Sequence, residues 1–196
     1  VLLAGRHEYR SEEILPALAR ILAKRRGFTC SVLFTLDEEG FIEPGSSRIR
    51  GLEVLRDADL LVVGLRFQDF PAEEMQRIVD YLERGGPVLG IRTSTHAFKI
   101  ADGPHKRFTY DCADEAYRGG FGRQVLGETW VGHYGQNHRQ SSRIVLEEAR
   151  RAHPVLRGVA DVHVVSGGYN AVPMDDSVVL ARGQVLNGMQ PDAPPD

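Results

Sequence analysis

Short apolar runs alternate with amphipathic stretches along the first hundred residues. Four runs of strand length are bounded by turn residues, at positions 1–5, 30–36, 60–65 and 87–91, as in strands buried in a parallel sheet. Between them, residues 12–26 and 71–84 repeat apolar side chains at helical spacing. Strands that alternate with helices require right-handed parallel crossovers. The pattern therefore predicts an α/β protein with a doubly wound, mostly parallel sheet.

The alternation of apolar runs and amphipathic stretches ends near residue 100. Residues 100–142 hold seven glycines and six aromatic residues and no long periodic segment. Irregular segments of this length are uncommon and are usually functional or misassigned. We interpret this one as an excursion over the carboxyl edge of the sheet, with a short helix near residues 121–126. Further strands are predicted at residues 143–147, 162–165 and 178–182.

The run at residues 87–91 is the centre of the chain's chemistry. Arg92 follows this strand, and Thr93-Ser94-Thr95 then suit a helix start before His96. A strand, a sharp turn and a helix start make a nucleophile elbow, with Arg92 at its apex. A guanidinium is a permanent cation, so this elbow presents an anion binder. Ser94 is a poor nucleophile candidate, because residues two apart on a helix do not face one another.

These residues resemble two known groups of proteins. Pro87-Val88-Leu89-Gly90-Ile91, followed after a spacer by His96, is similar to the elbow of class I glutamine amidotransferases. That family has Cys where this chain has Arg92 and Gly where it has Ser94. The nucleophile is therefore missing, and amidotransferase activity is not carried over.

A closer resemblance is to the trehalose-utilisation (ThuA-like) family, which shares the fold without the cysteine. The supporting stretches are residues 9–13, 119–124, 130–133 and 153–159. The resemblance implies a flavodoxin-like, doubly wound sheet of the class I glutamine amidotransferase-like type, and a role in carbohydrate metabolism. It implies a single domain over residues 1–196. Family members usually continue with another strand, so a truncated C-terminus is one interpretation.

Two arginines are the main candidates for ligand binding. Arg66 and Arg92 both leave predicted strands at the carboxyl edge, where ligands bind in open α/β sheets. We expect them to point into one cleft and bind a carboxylate, a phosphate or a polyhydroxylated ligand through bidentate bonds. The alternative is structural pairing with Glu8, Asp69 or Asp102.

His96 and Glu8 are the acid/base candidates near that edge. An imidazole in the first turn after the elbow can act as a general base or a metal ligand. His7 and Glu8 follow the first strand, so His7 is a candidate ligand donor. The alternatives are a His96 bonded to backbone and a solvated His7–Glu8 pair.

Residues 130–138 combine aromatic, amide and imidazole groups. Aromatic faces beside amide donors suit a sugar, so Trp130 and Tyr134 are predicted to line the ligand and His133 to take part in catalysis. We expect residues 119–138 to fold over the elbow and bring His133 or Tyr134 near Arg92 and His96. The competing account is that Trp130 and Phe121 fill the core.

No cofactor is predicted, and a divalent metal such as zinc is left open. His133 and His138 could join His96 or His7 at a metal. However, no zinc-type spacing such as His-Glu-x-x-His occurs in the chain.

Composition excludes some classes of function. The 196 residues are 42% hydrophobic and 26% charged, with a net charge of −3, so nothing favours nucleic acid. No apolar run reaches membrane-spanning length. Cys30 and Cys112 form no disulfide framework.

Because the chain begins at Val1, we expect upstream residues to be left out, and the compartment is open between cytoplasm and export. A homo-oligomer is also left open.

Two hypotheses remain. The first is an enzyme, such as a hydrolase, that acts on a carbohydrate or sugar-derived ligand. The second is a non-catalytic ligand-sensing or assembly module that kept the fold and lost the chemistry. Convergence of the histidine and glutamate candidates on one point would favour the enzyme.

Overall fold

The computed structural model describes all 196 residues, and the chain divides into two compact units, Val1–Thr129 and Trp130–Asp196. The first unit holds a parallel sheet, and the second holds only antiparallel strand pairs. The prediction of one domain over residues 1–196 stays a prediction. None of the helices combines the length and the apolar character needed to cross a membrane.

The first unit contains four strands and three α-helices. In chain order they are β1 (Leu2–Gly5), α1 (Ser11–Arg26), β2 (Val32–Phe34), β3 (Leu61–Leu65), α2 (Ala72–Glu83), β4 (Val88–Gly90) and α3 (Gly120–Leu126). Short 3-10 helices lie at Leu52–Asp57, Ser94–His96, Lys106–Phe108 and Glu115–Tyr117. The strands are parallel in the order β2-β1-β3-β4, which is the flavodoxin-like order. The predicted fold class is confirmed.

The sheet is covered on both faces because successive strand residues point to opposite sides. One cluster joins Leu2, Ala4 and Val62 to Leu15 and Ala19 of α1. The other, larger cluster joins the alternate strand residues to α2, the 3-10 helices and α3, through Leu3, Val63, Leu65, Met75, Ile78, Phe98 and Phe121. This two-sided burial explains why β1 and β3 are apolar throughout.

β4 differs from its prediction. Pairing with β3 is parallel as expected, but the strand lies at the edge of the sheet and Leu89 is 49% exposed. The prediction of a buried strand is therefore wrong. Leu126 of α3 occupies the space beside Gly90 that a side chain would fill, so α3 covers one face of β4.

The second unit is built from short antiparallel strands. β6 (Ser142–Leu146) lies between β7 (Val162–Val164) and β9 (Ala181–Val185), and β5 (His133–Tyr134) pairs with β8 (Gly168–Tyr169). The strands predicted at 143–147 and 162–165 are present. The strand predicted at 178–182 begins three residues later, because β9 is set by its pairing with β6 from Ser142↔Val185 to Leu146↔Ala181.

Candidate functional site

The carboxyl ends of three neighbouring strands bring the first unit's candidates together. Arg6 to Tyr9 follow β1, Arg66 and Phe67 follow β3, and Arg92 follows β4 after Ile91. Because β1, β3 and β4 are adjacent and parallel, these segments leave the sheet at the same edge.

Tyr9 links two of the arginines at this edge. The Arg92 Nε donates a 2.8 Å hydrogen bond to the Tyr9 hydroxyl. The guanidinium carbons of Arg6 and Arg92 lie 5.0 and 5.6 Å from the centre of the Tyr9 ring. Arg6 is only 4% exposed, so one of these cations is enclosed by the protein. Tyr9 therefore fixes the Arg92 guanidinium at the elbow apex and adds a cation–π contact to each arginine.

Arg66 is held less tightly. Its guanidinium lies over the Phe67 ring, with the carbon 4.5 Å from the ring centre. Its Nη2 is 3.6 Å from Glu8 Oε1, which is an ion pair beyond hydrogen-bond length. The Arg66 Nε is buried and has no hydrogen-bond partner. Arg66 thus pairs only weakly with Glu8, which was the structural alternative, and its Nε donates no hydrogen bond.

Phe67 connects Arg66 to His96. The Phe67 ring centre is 5.0 Å from that of His96 and 5.1 Å from that of Tyr110. Phe67 has a φ of 53°, a left-handed conformation that is unfavourable for a bulky residue and typical of functional sites. His96 is 3% exposed, and its Nδ1 is 3.3 Å from Thr95 Oγ1. The imidazole is therefore a buried group behind an aromatic ring.

The elbow is held by its own hydroxyl groups. Ser94 Oγ donates to the Val63 carbonyl at 2.6 Å and accepts from the Leu65 N–H at 3.4 Å. Thr93 Oγ1 donates to the Leu65 carbonyl at 3.0 Å. These bonds tie the turn to β3 and leave Ser94 a structural role. The expected helix start is a three-residue 3-10 helix, Ser94–His96.

The glycine-rich stretch at residues 119–122 packs against the elbow backbone. A Cβ on Gly122 would lie 2.0 Å from the Thr95 carbonyl oxygen, and one on Gly120 would lie 1.9 Å from that of Thr109. Only glycine permits this approach. α3 therefore braces the turn that carries Arg92 and His96.

Glu128 lies two residues after the end of α3. Its N–H donates to the Gly122 carbonyl at 3.2 Å, and the next residue, Thr129, donates its hydroxyl to the Tyr110 carbonyl at 2.8 Å. Burial raises the pKa of the Glu128 carboxyl above its ordinary value. This partly desolvated carboxyl is a further candidate group in the first unit.

His7 lies apart from the arginines' contacts. Its side chain is 65% exposed, and Nε2 is 3.6 Å from Glu43 Oε1. It also packs against Gly45, where a Cβ would come within 2.3 Å of Nε2. His7 thus contacts the loop after β2, whereas its neighbour Glu8 contacts Arg66.

The other three candidates belong to the second unit. His133 pairs with Tyr169 across β5 and β8, and their ring centres are 5.3 Å apart. Trp130 packs edge-on against His133 at 5.6 Å, and Tyr134 is 49% exposed. Within this unit Trp130, His133 and Tyr169 form an aromatic group. That residues 119–138 cover the elbow stays a prediction, as does a shared cleft for Arg66 and Arg92.

Sequence reasoning did not select four members of the edge cluster as site residues: Arg6, Tyr9, Phe67 and Tyr110. Arg6, Tyr9 and Phe67 follow strands at the carboxyl edge, so their position was a usable indication. Tyr110 gave none, because only the folded course of residues 99–114 brings it to Phe67. Gln68, another missed residue, donates to the Gly5 carbonyl at 2.8 Å and joins the ends of β1 and β3.

The histidines and acids do not gather as metal ligands. No group of three or more His, Cys, Asp or Glu side chains is arranged to hold a metal ion. The donor set therefore does not fit the zinc site that was left open.

Comparison with solved structures places this architecture. The chain superposes on the crystal structure of a protein described as ThuA-like, from Parabacteroides merdae ATCC 43184, with a TM-score of 0.54. The match covers 93% of this chain and 67% of that one, at 14% sequence identity. The chain has a ThuA-like fold. No protein-family model and no curated protein matches the sequence. The ThuA-like fold agrees with the parallel sheet and with the sequence resemblance.

Proposed function

We propose that this protein binds a carbohydrate or sugar-derived ligand at the carboxyl edge of its parallel sheet. Arg66 and Arg92 bind the ligand's acidic or hydroxyl groups. The observation that carries the proposal is the buried Nε of Arg66, which has no hydrogen-bond partner. A buried donor without an acceptor is costly. The Arg66 side chain as a whole is 38% exposed, so a small movement of the guanidinium would bring its Nε to an oxygen of a bound ligand.

The geometry around Arg66 supports a ligand oxygen in that place. Glu8 is too far from Arg66 for a hydrogen bond, at 3.6 Å, and the two side chains are 38% and 42% exposed. An exposed ion pair of this kind contributes little and exchanges readily. A carboxylate, a phosphate or vicinal hydroxyls would meet the guanidinium fork with better geometry.

Tyr9 gives the second arginine a fixed orientation. Its hydroxyl accepts from Arg92 Nε, so the guanidinium is oriented before any ligand arrives. Preorganisation of this kind lowers the ordering cost of binding. The half-buried rings of Tyr9 and Phe67 add apolar faces of the kind that sugars pack against.

The acid/base roles divide by access. Glu8 is 42% exposed at its side chain and reaches Arg66, so Glu8 is the candidate that a ligand can contact. His96 is 3% exposed behind Phe67. If the protein is an enzyme, Glu8 would be the group that exchanges a proton with the ligand. His96 would act indirectly, by positioning the Phe67 ring.

A non-catalytic module is the second candidate, and the elbow favours it. Arg92 occupies the apex, and the serine hydroxyl of the turn, Ser94 Oγ, is bonded to Val63 and Leu65. A binding protein needs the cations and rings but no nucleophile.

Titration calorimetry with trehalose, D-glucose and D-glucuronate tests the proposal. We expect saturable binding of at least one of these, weakened about tenfold or more in Arg66→Ala. Arg56→Ala is the matched control, because Arg56 is exposed and pairs only with its neighbour Asp57. Equal affinity in wild type and Arg66→Ala would refute the role of Arg66. Proton NMR of the bound sugars then separates turnover from binding alone.

Glutaminase activity is predicted to be absent. The apex holds Arg92, Cys30 lies just before β2, and Cys112 lies in the loop between β4 and α3. Ammonia release from L-glutamine should equal the rate without protein. Release that disappears after thiol alkylation would contradict this prediction.

A further inference from the structure

A second concave site lies in the loop between β4 and α3. Residues 99–114 enclose an open cavity of about 560 Å³, which is within the size range of small-molecule sites. The loop is anchored at both ends, because the Lys99 N–H donates to the Gln68 carbonyl and the Tyr110 N–H to the Phe98 carbonyl, each at 2.9 Å. The cavity is therefore a fixed feature of the first unit.

The lining combines an apolar surface with cations. Ile100, Ala101 and Ala113 contribute apolar surface, and Lys99, Lys106 and Arg107 contribute positive charge. The chain has three lysines, Lys24, Lys99 and Lys106. Two of the three therefore line this one cavity, although arginine supplies almost all the basic residues elsewhere.

The carboxylates in the lining are partly engaged by the loop itself. Asp111 Oδ1 accepts from the Thr109 hydroxyl at 3.0 Å, and Asp114 Oδ1 accepts from the Ala116 N–H at 3.0 Å. Each bond lowers the negative charge that the carboxylate offers to a ligand. The two carboxylates still repel negative charge, so a strongly charged polyanion is not the best occupant of the cavity.

Arg107 is also turned to other partners. Its Nη2 is 3.8 Å from Glu83 Oε1, and its guanidinium carbon lies 5.0 Å from the Phe108 ring centre. Lys99 and Lys106 are the compact charges that can meet an anionic group, and the Lys99 Nζ also has a long cation–π contact with Phe67.

We propose that this cavity binds a small organic anion, with one carboxylate or sulfonate between Lys99 and Lys106 and an apolar body against Ile100 and Ala113. Apolar burial supplies most of the affinity, and the lysines select the sign of charge. The site is separate from the arginines of the sheet edge. It borders the same cluster, because Lys99 Nζ is 5.9 Å from the centre of the Phe67 ring.

The probe is 8-anilinonaphthalene-1-sulfonate, which has one sulfonate and an apolar aromatic body. Its fluorescence should rise saturably with the intact, cooperatively folded protein. Lys106→Glu should weaken its binding about three- to tenfold. Lys24→Glu is the matched control with the same charge change, in the last turn of α1, and should leave the affinity unchanged.

Cys112 reports the location, since it lines the cavity whereas Cys30 does not. Saturating probe should slow iodoacetamide alkylation of Cys112 and leave the rate at Cys30 unchanged, as read by peptide mass spectrometry. Benzoate should displace the probe, and inorganic phosphate at the same concentration should not. The proposal is overturned by unprotected Cys112, by equal effects of Lys24→Glu and Lys106→Glu, or by equal displacement with phosphate.

Discussion

Tyr9 is the residue that orients the elbow arginine. Tyr9→Phe keeps the ring beneath the Arg6 and Arg92 guanidinium groups but removes the oxygen that accepts from Arg92 Nε. We predict roughly three- to tenfold weaker binding of the sugar that calorimetry identifies, with a small change in Tm. Tyr117→Phe, away from the sheet edge, is the control and should bind normally. A Tyr9→Phe protein with wild-type affinity would remove Tyr9 from the account.

Burial of Glu128 predicts the sign of a pH dependence of stability. Burial raises the pKa of its carboxyl in the folded protein, so the folded state holds this proton more tightly than the unfolded state does. The stabilisation is complete below the unfolded pKa and is lost as pH rises through the folded pKa. Glu128→Gln should therefore raise Tm near pH 7. The gain in the free energy of unfolding should be less than about 1 kcal/mol, because the group is only half-buried. Near pH 4 the substitution should change Tm little.

The measurement is a pair of thermal melts at each pH, with the exposed Glu39→Gln as control. A Glu128→Gln protein that loses stability near pH 7, relative to wild type and to Glu39→Gln, would show that the carboxylate form is favoured and reverse the assignment.

At the residue scale, the sequence could predict positions but not contacts. Arg66, Arg92 and Glu8 could be placed at the carboxyl edge because each follows a recognisable apolar run. The Tyr9–Arg92 bond and the left-handed Phe67 could not, because both depend on how separate loops meet. His96 was placed correctly after the elbow, but its burial behind Phe67 required the folded loop.

At the element scale, the brace that α3 supplies can be broken by one methyl group. Gly122→Ala would place a Cβ 2.0 Å from the Thr95 carbonyl oxygen, and backbone must move to admit it. We predict a loss of about 2 kcal/mol or more in the free energy of unfolding, measured by urea denaturation, together with weaker ligand binding.

Gly183→Ala in β9 is the matched control, since a Cβ there has nothing within 4 Å. It should change stability by no more than about 0.5 kcal/mol. If both variants have the same stability, α3 does not brace the elbow.

Helices and strands were predicted best where apolar residues recur at a regular spacing because one face is buried. α2, β1 and β3 have apolar patterns that match their burial in the structure. On α1, Leu15 is buried as its spacing predicts, but Ile14 and Ile21 are exposed. β4 was predicted to be buried because an apolar run does not reveal whether a strand is central or at an edge. β5 and β8 were missed, since a two-residue strand has no detectable period.

At the scale of the whole molecule, the strand order was predictable and the rest was not. Alternating elements with right-handed crossovers permit few topologies, and the order β2-β1-β3-β4 is one of them. The antiparallel pairs of the second unit follow no such rule, and their register depends on partners distant in sequence. The cavity at residues 99–114 likewise arises from an irregular loop that no periodicity describes.

The most direct test of the central claim observes the arginine Nε–H groups by NMR during titration with D-glucuronate and with trehalose. Arg66→Lys and Arg92→Lys assign the two signals, and Arg56 serves as the internal reference. The account predicts that at least one sugar shifts the Arg66 and Arg92 signals along one saturation curve while the Arg56 signal stays in place. Saturable binding of a sugar that leaves both signals unmoved, or no binding of either sugar, would contradict it.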